Sequence, residues 1–168
     1  MKSIQSITSL SRQRGVTLIL ALIFLAILML LGVTVAQTSS MEERMAGNTR
    51  DRDVAFQSAE AAIDAAEAAL KALPTDAAGK ITTAFDGSTA GYVAYDPASD
   101  SDADHWNAYD WAGASMTIGS SLGQVAVQPQ YVIEKLPDVA TTQRFRVTAR
   151  GSGSSSNTVV ILQAGYEN

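Results

Sequence analysis

No cysteine occurs in the sequence, so no disulfide can staple what folds here; the core and its contacts must hold it even in an oxidising compartment. Histidine is nearly absent too. His105 stands alone, and for hydrolysis it would need a nucleophile and an orienting carboxylate supplied by the fold, for which every Ser and Asp is a formal candidate. Gly-rich phosphate loops, paired-cysteine sites and histidine clusters are missing as well. These absences point away from an enzyme and leave no cofactor to expect. Basic residues are scarce: 12 Lys and Arg face 17 Asp and Glu, and none lies between Ile81 and Glu134. That argues against nucleic acid as a partner, since duplex binding draws on clustered Lys and Arg. Charge of either sign is missing from Val16 to Ala36.

That uncharged run is what the rest of the chain hangs on. At roughly 1.5 Å per residue it matches the ~30 Å hydrocarbon core of a bilayer, which predicts a membrane-spanning helix over 16–36. Lys2, Arg12 and Arg14 precede it with no acidic residue, whereas Glu42, Glu43, Asp51 and Asp53 follow it. The positive-inside rule then keeps the N-terminus in the cytoplasm and puts everything after Gln37 outside. The run exceeds the roughly 7–15 apolar residues of a secretory signal. Its notable small residue, Gly15, stands before the run rather than after it.

A short basic leader ending in Gly15, then Val16-Thr-Leu-Ile19, resembles the class III signal of type IV pilins and type II secretion pseudopilins. The block from Gln37 to Ala62, with Met41-Glu-Glu-Arg-Met-Ala-Gly47 inside it, resembles the minor pilins of the PilX type closely, and Phe145-Arg-Val-Thr-Ala-Arg-Gly151 does so loosely. The resemblance implies a prepilin that a membrane prepilin peptidase cuts between Gly15 and Val16, with N-methylation of Val16. The leader removes three of the 12 basic residues and leaves a side-chain charge of −8 (9 − 17). Most pilins carry a glutamate as the fifth residue after the cut, thought to pair with a neighbouring subunit's free amine; Leu20 stands there instead. An unpaired carboxylate in lipid costs at least a few kcal/mol. A subunit that enters first, with no predecessor to pair with, has no use for one, so Leu20 marks a tip or initiation position. The implied partners are other minor pilins, the major pilin, a tip adhesin and the peptidase, and the implied location is the inner membrane and then the pilus tip. A type II secretion tip pseudopilin shares the missing glutamate and remains an alternative, as does a periplasmic binding module with a permanent anchor.

Residues 37–73 continue the helix. Met45, Phe56, Ala59, Ile63, Ala66, Leu70 and Leu73 fall at helical spacings and predict the face that a sheet covers. Glu60, Asp64 and Glu67 line another face, with Lys71 four residues after Glu67. Pro74 ends the helix, because the residue before a proline is pushed out of the α region. Gly32 and Gly47-Asn48 soften it, each mid-helix Gly costing roughly 0.8–1 kcal/mol relative to Ala. The chain thus divides into a leader (1–15), a membrane or filament-core helix (16–36), its amphipathic continuation (37–73) and a periplasmic head (74–168).

Within the head, 75–124 is a variable loop rich in Gly, Ser, Asp and aromatics. Asp100, Asp102 and Asp104 take the first, third and fifth positions of an EF-hand loop, but His105 replaces the turn glycine and Trp111 the final glutamate, so no metal is expected. Trp106, Tyr109 and Trp111 either staple the loop onto its own domain or form a partner-binding surface. From about 123 to 164 the chain reads as antiparallel sheet of three to four strands: Gly123–Gln128, Tyr131–Lys135, an alternating run over 144–150, and Asn157–Gln163. Arg144, Arg146 and Arg150 share one strand face and read as a solvated stripe. The fold class is α+β, a long N-terminal helix packed on a C-terminal sheet, pilin-like.

Overall fold

The computed structural model describes residues 16–101 and 104–168. A single helix, α1 (Val16–Lys71), opens it. The chain divides into two compact units between Ala46 and Gly47, so α1 contributes to both. In the first unit the described residues are helix alone, and its apolar side chains, Leu18, Phe24 and Leu30 among them, are exposed. Thr34 and Thr38 donate their hydroxyls to the carbonyls of Leu30 and Thr34, at 2.9 and 3.0 Å. Both hydroxyls are thus satisfied inside the helix.

The second unit holds the rest of α1, alanine-rich and therefore strongly helix-forming. The helix closes at Lys71, the Leu73 amide donates to the Leu70 carbonyl at 3.2 Å, and Pro74 carries the chain away. Then come β1 (Tyr92–Ala94), three one-turn helices, α2 (Ala98–Ser101), α3 (His105–Ala108) and α4 (Trp111–Ala114), and strands β2 (Met116–Thr117), β3 (Gln130–Val139), β4 (Thr142–Ser152) and β5 (Val159–Glu167). The sheet runs β1-β3-β4-β5, with β2 also on β3. Strands β3, β4 and β5 form the expected antiparallel meander. The sheet is nonetheless mixed and five-stranded, because the loop region supplies β2 and also β1, which pairs parallel to β3 with Tyr92 opposite Ile133.

Gly123–Gln128 is not a strand. Side chains bond the backbone at either end of the segment: Gln128 bonds both the amide and the carbonyl of the preceding Leu122, and the Ser152 hydroxyl on β4 bonds both those of Val127. A similar device docks Ile81, whose amide and carbonyl meet the buried Gln143 carboxamide at 2.7 and 3.2 Å.

One face of the sheet rests on α1. The core there joins Ala62, Ala66 and Leu70 to Ile81, Phe85, Tyr92, Tyr131, Ile133, Phe145, Val147 and Ala149. The buried helix face is Ala55, Ser58, Ala59, Ala62, Ala66 and Leu70, turned by part of a residue from the predicted stripe, and Phe56 and Met45 are 44% and 56% exposed. Ala59, Ala66 and Leu70 are buried as expected, and Ile63 and Leu73 pack at the rim. The turn has a steric cause: a Cβ on Gly151 would lie 2.3 Å from the Ala55 carbonyl oxygen and from the Ala59 amide nitrogen. Backbone meets backbone there, and only small helix residues fit beneath.

Candidate functional site

The assembly helix comes first. Val16 is the first described residue of α1, and Leu20 lies exposed on it. Gly15, on the other side of the expected cut, falls outside the described residues. Among the described residues α1 is the one helix long and apolar enough to cross a membrane.

In the head, the second face of the sheet is covered by the loop that carries the aromatic and acidic candidates. Trp106 and Trp111 are buried against Val132, with Val93, Tyr109 and Ile161 at their rim. Their ring centroids lie 6.1 Å apart, with Tyr109 5.2 Å from Trp106 and 5.3 Å from Trp111. The Trp111 Nε1 donates to the Trp106 carbonyl at 2.9 Å, and the Arg150 guanidinium sits 5.9 Å above the Trp111 ring. Gln130 Nε2 on β3 donates to the Trp111 carbonyl at 2.8 Å. The two tryptophans therefore staple the loop onto its own sheet and present little surface.

Arg146, in the middle of the arginine stripe, is not solvated. The Arg146 side chain is 13% exposed, and its Nε donates to the Glu134 carboxylate, itself 2% exposed, at 2.7 Å. The two Nη atoms reach Asp100 and Ser99. Asp100 also accepts from the Tyr95 hydroxyl, and these bonds, Tyr95 first and Arg146 second, hold its pKa below the ordinary aspartate value. The expectation fails because α2 and the residues before it cover what alternation alone would leave to water. A charge pair this enclosed is tolerable only when its remaining N–H groups find acceptors, which Ser99 and Asp100 provide. The pair had a sequence signal: a turn near residue 140 places Glu134 opposite Arg146, their observed register.

The acidic loop positions are therefore separated in role. Asp100 is committed to Tyr95 and Arg146, Asp102 lies outside the described residues, and Asp104 precedes α3 and accepts from Asn107 at 3.2 Å. Among the described residues no three His, Cys, Asp or Glu side chains converge as a metal site would need.

At the far end of the sheet, the turn after β4 grips α1. Asp51 accepts from the Ser154 amide at 2.6 Å, and its pKa is lowered, first by the Thr158 hydroxyl.

No curated protein and no solved structure matches the chain. Two family models do: PilX N-terminal over residues 14–64, and Type IV pilus assembly protein PilX C-term over residues 53–168. They overlap within α1 and between them take in the apolar helix, the alanine face, the loop layer and every strand. With the apolar start of α1 as a candidate membrane anchor and a head held together by packing and ion pairs, the chain belongs to the PilX family and is a minor pilin of the type IV pilus, a structural component of that assembly.

Proposed function

We propose that this minor pilin works at or near the pilus tip and helps start the filament. It enters the inner membrane with its N-terminus in the cytoplasm, is cut between Gly15 and Val16, and is methylated on Val16. Its apolar helix then leaves the bilayer to bury itself among other pilin helices, while the head meets other minor pilins and a tip adhesin. The observation that carries the reading is Leu20, exposed on α1 where most pilins have a glutamate. A carboxylate there is useful only if a preceding subunit's amine waits within reach; otherwise it must be protonated or expelled from lipid. Leu20 suits a subunit with no predecessor.

Deleting the gene should cut the number of surface pili sharply and leave the few that form with a normal shaft. Labelled copies should be found at pilus ends, and Leu20→Glu should not improve assembly. Labelled copies along the shaft in numbers comparable to the major subunit would overturn the tip assignment. Mass spectrometry of the purified protein should find methylated Val16 as the first residue, and an intact Met1 start in cells with active peptidase would overturn the processing.

A further inference from the structure

Strand β5 is paired on one side only. Gln143 and Asn168 exchange both backbone bonds, at 3.0 and 2.9 Å, and the Gly153 amide donates to the Thr158 carbonyl at 2.9 Å. The register between these points is unbroken, with Phe145 opposite Tyr166, Val147 opposite Ala164, Ala149 opposite Leu162 and Gly151 opposite Val160. In an antiparallel ladder such mutually bonded pairs alternate with pairs whose amides and carbonyls point away. Val159, Ile161, Gln163, Gly165 and Glu167 therefore aim their amides and carbonyls at the open edge, where no described strand meets them. The usual guards of an edge are missing: β5 has no proline, no lysine and no register shift. Val160, Ile161 and Leu162 are half-buried and alternate between the helix-side and loop-side cores, so both cores stop part-covered at this strand.

We propose that this edge receives an extended strand donated by a different protein, apolar at its centre and basic at its ends, which adds a sixth strand beside β5. Backbone groups at this spacing accept a strand and no other shape. An apolar centre continues the two part-covered layers. Basic ends suit Glu167 on β5 and a chain whose acids outnumber its bases, whereas Glu67 on α1 is already paired with Lys71. A second copy fits poorly. Both copies would bring the same acidic surplus, Glu167 included, to the shared edge. The proposal does not depend on where in the filament the subunit sits.

The test uses the full chain in detergent and a synthetic peptide as long as β5, alternating Val and Thr between terminal lysines, with a glutamate-ended twin. Amide exchange at Ile161, Gln163 and Gly165 should be fast in the free chain and slow with the lysine peptide. Gly165→Pro removes one outward donor at a position where an added Cβ meets nothing within 4 Å. The variant should weaken peptide binding by about tenfold or more, whereas Gly165→Val, which keeps the donor, should bind at least as well. Absence of protection in the unmutated chain overturns the proposal, as does equal binding by the proline variant. Protection that grows with protein concentration and no peptide overturns it in favour of a second copy. Equal binding of the glutamate-ended twin overturns the basic ends.

Discussion

Strand β4 shows two ways of closing a small core. Its helix side presents Phe145, Val147, Ala149 and Gly151 to a flat alanine surface; its other side presents Arg146, Thr148 and Arg150 to a loop of tryptophans and carboxylates. The first contact works by proximity, since small residues let two backbones touch and dispersion grows with the number of close atoms. The second works by pairing: charges taken from water must each find a partner, and aromatic rings cover them. One side is intolerant of added volume. The other is intolerant of lost partners.

Volume is the harsher test. Gly151→Val drives a side chain into the Ala55 carbonyl and the Ala59 amide, where overpacking has no flexible group to displace. A loss of about 3 kcal/mol or more is expected, read as a fall in the thermal midpoint of the purified chain. An unchanged midpoint would mean that helix and strand stand farther apart than described. On the other side, Glu134→Ala leaves Arg146 enclosed with only Asp100 and Ser99, and should cost about 3 kcal/mol at most, the lower end for a broken buried pair. Tryptophan emission should shift to the red while helix content stays, because the loss loosens the loop and not α1.

Acid should reach the same side more gently. Asp100 is held below its ordinary pKa by Tyr95 and Arg146, so its contribution is complete above about pH 4, the ordinary aspartate range, and is lost as pH falls through its lowered value. Asp51, lowered by the Thr158 hydroxyl, follows the same sign at the turn after β4. Tryptophan fluorescence followed from pH 6 to pH 2 (about two units to either side of that range) should change in the lower half only, and Asp100→Asn should abolish most of the change. The smallest effect belongs to neither face. Ala140, in the turn between β3 and β4, has a φ of 54°, a conformation that costs a non-glycine residue about 1 kcal/mol. Ala140→Asn should stabilise both faces by up to about 1 kcal/mol and raise the thermal midpoint slightly.

The difference between the faces also explains what could be read from the chain alone. The uncharged run, the stop at Pro74 and the alternation of Phe145, Val147 and Ala149 are local patterns, and each became the expected element. The helix face is legible in part: Ala59, Ala66, Leu70, Ile63 and Leu73 meet the core, but Phe56 is exposed because Gly151, far along the chain, brings strand backbone against Ala55 and Ala59. Gly123–Gln128 has strand-forming residues, yet Ser152 on β4 takes the Val127 backbone groups and Gln128 folds back on Leu122. Trp106, Tyr109 and Trp111 were visible as a cluster, but their direction depends on Val132 and Ile161, which pattern cannot bring near. Arg146 was legible only as half of a hairpin pair with Glu134. Gly15 and Val16 stand on motif alone.

The distance in sequence between α1 and what covers it sets an order of events during synthesis. The bond from Ser154 to Asp51 joins residues 103 positions apart, and the strands that roof the alanine face are the last elements of the chain. At roughly 5–20 residues per second a ribosome needs several seconds or more to deliver them after α1 has emerged. Through that interval the helix can already occupy the membrane, while Ala55, Ala59, Ala62 and Ala66 wait uncovered. The candidate anchor is therefore complete before the head can close, and a factor that shields a small-residue helix face for seconds would have its window there.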